Sequence, residues 1–149
     1  MRVSATPAAR ANSIVIAAMV ALCGLAACAS LAPRSRAPGP AMTGDGVRFR
    51  FFAPSAHRVQ LAGSWPENNW ARGDGPSGEA DVGLMTDNDN DGVWEIVVAL
   101  GAGRYQYVFW VDEIDWRVDP GNPAEVEAGP ARRASELLVV ERAGALEVR

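Results

Sequence analysis

Tryptophan is the side chain in this chain best placed to do something, because two indoles fall on turns where small polar residues are usual. The segments Gly63-Ser-Trp-Pro-Glu-Asn-Asn-Trp70 and Val111-Asp-Glu-Ile-Asp-Trp116 each end on one. An exposed indole forgoes roughly 1.5–3 kcal/mol of burial, so it is retained either as a core plug or as a binding platform. A hexose ring has C–H groups on its flat side and hydroxyls around its rim. It therefore suits an aromatic ring beneath it and polar side chains beside it, and stiff indoles provide that surface at small entropic cost. Trp70, Trp116 and Trp110 are the candidate platform, with Gln106 and Asn69 as polar helpers. Trp65, beside Pro66, and Trp94, within a strand pattern, are assigned to packing. Asn68 and Asn69 can equally hold the turn by bonding backbone.

Other chemistry is thinner. Asp87, Asp89 and Asp91 followed by Gly92 match the start of a calcium loop, but the twelfth position, which needs a bidentate Glu, is Val98. An acidic hairpin is the ordinary reading; a calcium site on these three carboxylates is the alternative. The one histidine, His57, has no nucleophile that sequence places beside it. Glu95, Asp112, Glu113 and Asp115 could pair as carboxylates, yet a single small sandwich rarely forms the cleft that glycosidic hydrolysis needs. No enzymatic activity and no cofactor are expected. All 14 basic residues are Arg against 18 acids. Without Arg2 and Arg10, 12 basic and 18 acidic residues remain, a net of −6. Such a domain repels phosphate backbones, so nucleic-acid binding is not expected.

The elements that must position these residues are strands. Val47, Phe49 and Phe51 alternate with Arg48 and Arg50, the mark of a half-buried strand, and Val59 and Leu61 repeat the pattern. Arg104 to Val111 is the clearest strand: Tyr105, Tyr107, Phe109 and Val111 should face the core, with Arg104, Gln106, Val108 and Trp110 on the other side. Segments 82–86, 93–100, 116–118 and 136–141 complete the set, and residues 71–80 read as an exposed loop. Six to eight short strands without a helical period predict an all-β fold, an immunoglobulin-like antiparallel β-sandwich over residues 45–141, with a C-terminal tail at 142–149. Ahead of it, Arg2 and Arg10 precede an apolar run from Ile14 to Ala27, the pattern of an export signal. Residues 28–44, rich in Pro and Gly, predict a semi-extended tether.

Two resemblances add to this reading. Leu25-Ala26-Ala27-Cys28 resembles the lipobox of bacterial lipoproteins, which implies cleavage after residue 27 and acylation of Cys28. Multiple acyl chains hold a protein on a membrane without a spanning helix. Ala29 after the cysteine favours the outer membrane, with the domain facing the periplasm of a bacterial cell envelope. From Gly46 to Glu141, the first tryptophan turn and Gly103-Arg-Tyr-Gln-Tyr-Val-Phe-Trp-Val-Asp112 resemble the glycogen-binding module family found in the AMP-activated kinase β subunit and at the N-terminus of starch-debranching enzymes. That resemblance implies non-catalytic binding of an α-glucan or related glycan, with Trp70 and Trp116 stacking on successive glucose units. Pro66 and Glu67 lengthen the first loop here. The family's strand Lys falls at Val108, and its Asn near the last strand at about Ser135, so two donors to sugar hydroxyls are missing or weakened. The alternative is a degenerate domain of this fold that binds another protein of the envelope.

Overall fold

The alternation is realised as strands on both sides of a shared core. The computed structural model describes residues 37–71 and 81–149; the expected signal, Cys28, the first part of the tether and most of the loop at 71–80 lie outside the described residues. The strands are β1 (Ala41–Thr43), β2 (Gly46–Phe52), β3 (Val59–Gly63), β4 (Val93–Val98), β5 (Gly103–Val111), β6 (Asp115–Arg117), β7 (Glu125–Val126), β8 (Ala134–Arg142) and β9 (Ala145–Val148). One sheet runs β1-β2-β4. The other runs β3-β5-β8-β7, with β6 paired to β5 and β9 to β8. All pairings are antiparallel.

Period-two burial explains how the sheets face each other. In β2, Val47, Phe49 and Phe51 are buried and the residues between them are not. Tyr105, Tyr107, Phe109 and Val111 of β5 point to the same core, as the alternation predicts. Phe51 stacks on Phe109 with centroids 4.4 Å apart, and Phe49 meets Tyr107 edge-on at 5.0 Å. Aromatic contacts thus join the layers of an immunoglobulin-like antiparallel β-sandwich.

Trp65 and Trp94 pack as expected. Trp65 is 4% exposed and lies on Phe49, while half-buried Trp94 covers the core margin and donates its indole N–H to the Ala53 carbonyl at 3.0 Å. A buried polar group fixes the long connection after β6. Tyr107 donates its hydroxyl to Asp119 Oδ2 at 2.7 Å, and the Asp119 amide donates to Ser135 Oγ at 2.8 Å. Burial first, then the adjacent Asp119 charge, pushes the Tyr107 phenol far above its ordinary range, so it remains a donor.

The fold reaches past the pattern at both ends. β1 lies within the stretch expected as tether and pairs with β2; β9 lies within the expected tail and returns on β8. The β8–β9 turn places Ala143 (φ 52) and Gly144 (φ 79) in the left-handed region, as a two-residue hairpin needs. Ala-Gly is a weaker turn signal than Asn-Gly, which is why the pattern stops short of it.

Candidate functional site

The outer face of the six-stranded sheet carries a second, smaller apolar cluster. Ala62 of β3, Val108 of β5 and Ala134 of β8 are all fully buried there, although alternation points them away from the main core. Their cover is Trp70, Ala71, Trp116, Val126, Ala128 and Ala131, each partly buried. Small side chains form the floor, so the indoles can sit close to the sheet. Gly129 serves the same end: a Cβ there would lie 2.5 Å from the Trp70 ring.

Trp116 arrives by a hairpin. Asp112 (φ 50) and Glu113 (φ 60) turn the chain left-handed after β5, and Ile114 N–H donates to the Val111 carbonyl at 3.0 Å. Trp116 then pairs directly with Trp110 across the strands. Their rings are parallel, 4.9 Å apart and inclined by 4°. Asp112 secures the turn, because its Oδ1 accepts the amides of His57 at 2.7 Å and Arg58 at 2.8 Å. Those two bonds, Arg58's first, hold its carboxyl below the usual carboxylate range.

Trp70 arrives by a change of hand. The amides of Asn68 and Asn69 both donate to the Trp65 carbonyl, at 3.0 and 2.9 Å, so the chain winds as an ordinary turn as far as Asn68. Asn69 (φ 43), Trp70 (φ 62) and Ala71 (φ 57) are then left-handed in succession, with no glycine among them. That conformation costs roughly 1–2 kcal/mol per residue. The reversal sends Trp65 into the main core and Trp70 onto the outer cluster.

Of the sequence-derived candidates, Trp70, Trp110 and Trp116 are thus brought to one face, each half-buried. Gln106 lies on the same face two residues before Val108, and Asn69 directly precedes Trp70. Val108 and Ser135, at the positions of the resemblance's two donors, are both fully buried. Val108 is floor beneath the indoles. Ser135 faces inward and holds Asp119. The sequence reading missed Arg58, which lies on the outer side of the β3 edge, two residues before Gln60 of the Gln60–Trp110 pair. It bonds Asp81 at 2.7 Å and approaches Glu113 at 3.4 Å. Its alternation with Val59 and Leu61 was the available signal.

The acidic loop is elsewhere. Asp87, Asp89 and Asp91 offer carboxylate oxygens within 4.8 Å of one another. Both Asp87 oxygens already accept backbone amides, from Asp91 at 3.1 Å and Gly92 at 3.0 Å, and Asp91 accepts from Val93 at 2.9 Å. A divalent ion would have to share those oxygens. A groove of about 790 Å³ adjoins this loop on the outer face of the other sheet, lined by Arg50, Asp89, Asp91, Glu95 and Val97 among others. Its lining has no aromatic ring, so it offers nothing for a sugar face to stack on.

The model of carbohydrate-binding module 48 (isoamylase N-terminal domain) matches residues 37–121. No curated protein matches the chain. Among solved structures, it is similar to a putative alpha amylase from Salmonella typhimurium, at 21% identity over 69% of this chain, with a TM-score of 0.47. The match spans 15% of that protein's length.

Proposed function

The chain belongs to the carbohydrate-binding module 48 family, and we propose that it binds an α-glucan or related glycan, without catalysis, on the face holding Trp70, Trp110 and Trp116. The observation that carries this reading is the gathering of Trp70 and Trp116 over one apolar floor, Ala62, Val108 and Ala134, with Trp110 stacked alongside. All three indoles are only partly buried, so part of each remains accessible to solvent. Sugar C–H faces would stack on the open indole surfaces, while Gln106 and Asn69 meet hydroxyls at the rim. With Val108 and Ser135 buried, stacking supplies most of the attraction, and affinity is correspondingly modest.

Titration of intrinsic tryptophan fluorescence with maltoheptaose tests this. Saturable quenching is expected, with Kd raised about tenfold or more in Trp116→Ala. Absence of quenching up to millimolar sugar would end the glucan reading.

The same proposal places the domain in the cell envelope, tethered through acylated Cys28 and facing the periplasm from the outer membrane. Metabolic labelling with palmitate, compared with Cys28→Ser, tests the anchor. An unlabelled wild-type chain would refute it.

A further inference from the structure

One buried side chain in the first tryptophan turn belongs neither to the core nor to the sugar-facing surface. Asn68 is 3% exposed, and both ends of its side-chain amide are engaged. Oδ1 accepts the amide of Gly63 at 2.6 Å and that of Ala71 at 3.0 Å, while Nδ2 donates to the Leu61 carbonyl at 2.7 Å. Leu61 and Gly63 lie on β3, where the loop begins. Ala71 immediately follows Trp70. Asn68 therefore clamps the exit of the turn to its entry, and the three left-handed residues lie within the clamp.

Gly83 makes room for it. It is left-handed (φ 75), and a Cβ there would stand 2.7 Å from Asn68 Nδ2. Strained backbone persists only where its surroundings over-determine it, and such segments gather at ligand clamps. The hand of residues 69–71 sets the direction in which Trp70 leaves the chain, and Ala71 N–H is held twice, by the Asn68 carbonyl at 2.9 Å and by Oδ1.

We propose that Asn68 is the positioning residue of the Trp70 platform: it holds the left-handed turn that sets the indole on the outer face before any sugar arrives. The role rests on the glycan reading for its purpose, though not for its geometry. A platform fixed in advance avoids the ordering cost that a loose loop pays on binding. Asn68 does not touch sugar in this account.

The test uses the full-length chain in detergent, labelled with 5-fluorotryptophan, with the Trp70 resonance assigned by Trp70→Phe. Asn68→Ala should shift or broaden that resonance, leave those of Trp65 and Trp94 in place, and weaken maltoheptaose binding about tenfold. Adding Ala71→Gly, which adopts the left-handed region freely, should return the Trp70 signal and most of the affinity. An unmoved Trp70 resonance would overturn the proposal. So would movement of all five signals together, or failure of the glycine to restore Trp70. If Asn68→Ala does not fold, Ala71→Val keeps the clamp but resists the left-handed region, and it should move the Trp70 resonance alone. A wild-type chain that ignores maltoheptaose would refute the glucan reading, while the resonances would still decide the role of Asn68.

Discussion

In the first tryptophan turn the chain reverses hand over three residues to bring Trp70 out, whereas in the second two left-handed residues fold β5 onto β6 and Trp116 lands opposite Trp110 in strand register. One indole is aimed by three strained residues and a buried amide. The other is aimed by the sheet. Both reach the same apolar floor, so a single face depends on two supports of different stiffness. A hairpin whose residues pair across strands is fixed as firmly as the sheet is. A turn that stores strain is fixed only as long as its clamp is.

The two tryptophans of the first turn should differ most on truncation. Trp65 is 4% exposed and lies in the main core, so Trp65→Ala should cost about 3–5 kcal/mol. Trp70 is only half-buried on a small cluster, and its replacement by Ala should cost closer to ~1 kcal/mol. Urea unfolding measures both. Equal losses would mean that Trp70 is a core residue and no platform.

Restoring the family's strand Lys is the next perturbation. Val108 is fully buried under Trp70 and Trp116, so Val108→Lys forces an ammonium into an apolar floor or lifts both indoles from it. A loss of about 2–4 kcal/mol in urea unfolding is expected, together with weaker sugar binding. A variant as stable as wild type that binds maltoheptaose more tightly would show that the floor opens readily.

These contrasts also mark how far the sequence speaks for itself. The faces of β5, the inward Trp65 and Trp94, and the shared face of Trp70, Trp110 and Trp116 follow from period-two alternation and turn chemistry, both local properties. Burial of Val108 does not, because Ala128, Ala131 and Val126 cover it from some 20 residues along the chain. Alternation says which way a side chain points, and it is silent on what folds over it. Nor does burial of Ser135 follow from it, at a donor position of the resemblance, where its hydroxyl accepts the Asp119 amide. The change of hand at Asn69 was hidden for another reason: left-handed backbone is usually announced by glycine, and none stands at 69–71. Spacing alone left Asn68 and Asn69 equivalent, and it is Asn68 whose side chain bonds the backbone of Leu61, Gly63 and Ala71.

The smallest effect expected belongs to the second turn. Asp112 holds the β5–β6 hairpin to the start of β3 through the amides of Arg58 and His57, and its carboxyl is held below its ordinary value of 3.8. A carboxylate depressed in the folded state stabilises the fold above the unfolded pKa, and that contribution fades as pH falls through the lower folded value. Asp112→Asn keeps an oxygen for both amides and tolerates the left-handed region, but it carries no charge. The urea midpoint of wild type should therefore exceed that of Asp112→Asn by a constant small margin at neutral pH, and the margin should shrink as pH drops below about 4. Trp116 should keep its fluorescence throughout, because its place opposite Trp110 is set by strand register. A margin that stays fixed down to pH 2.5 would mean that the carboxylate charge contributes nothing. A Trp116 signal that moves with the titration would mean that this turn, like the first, depends on its clamp.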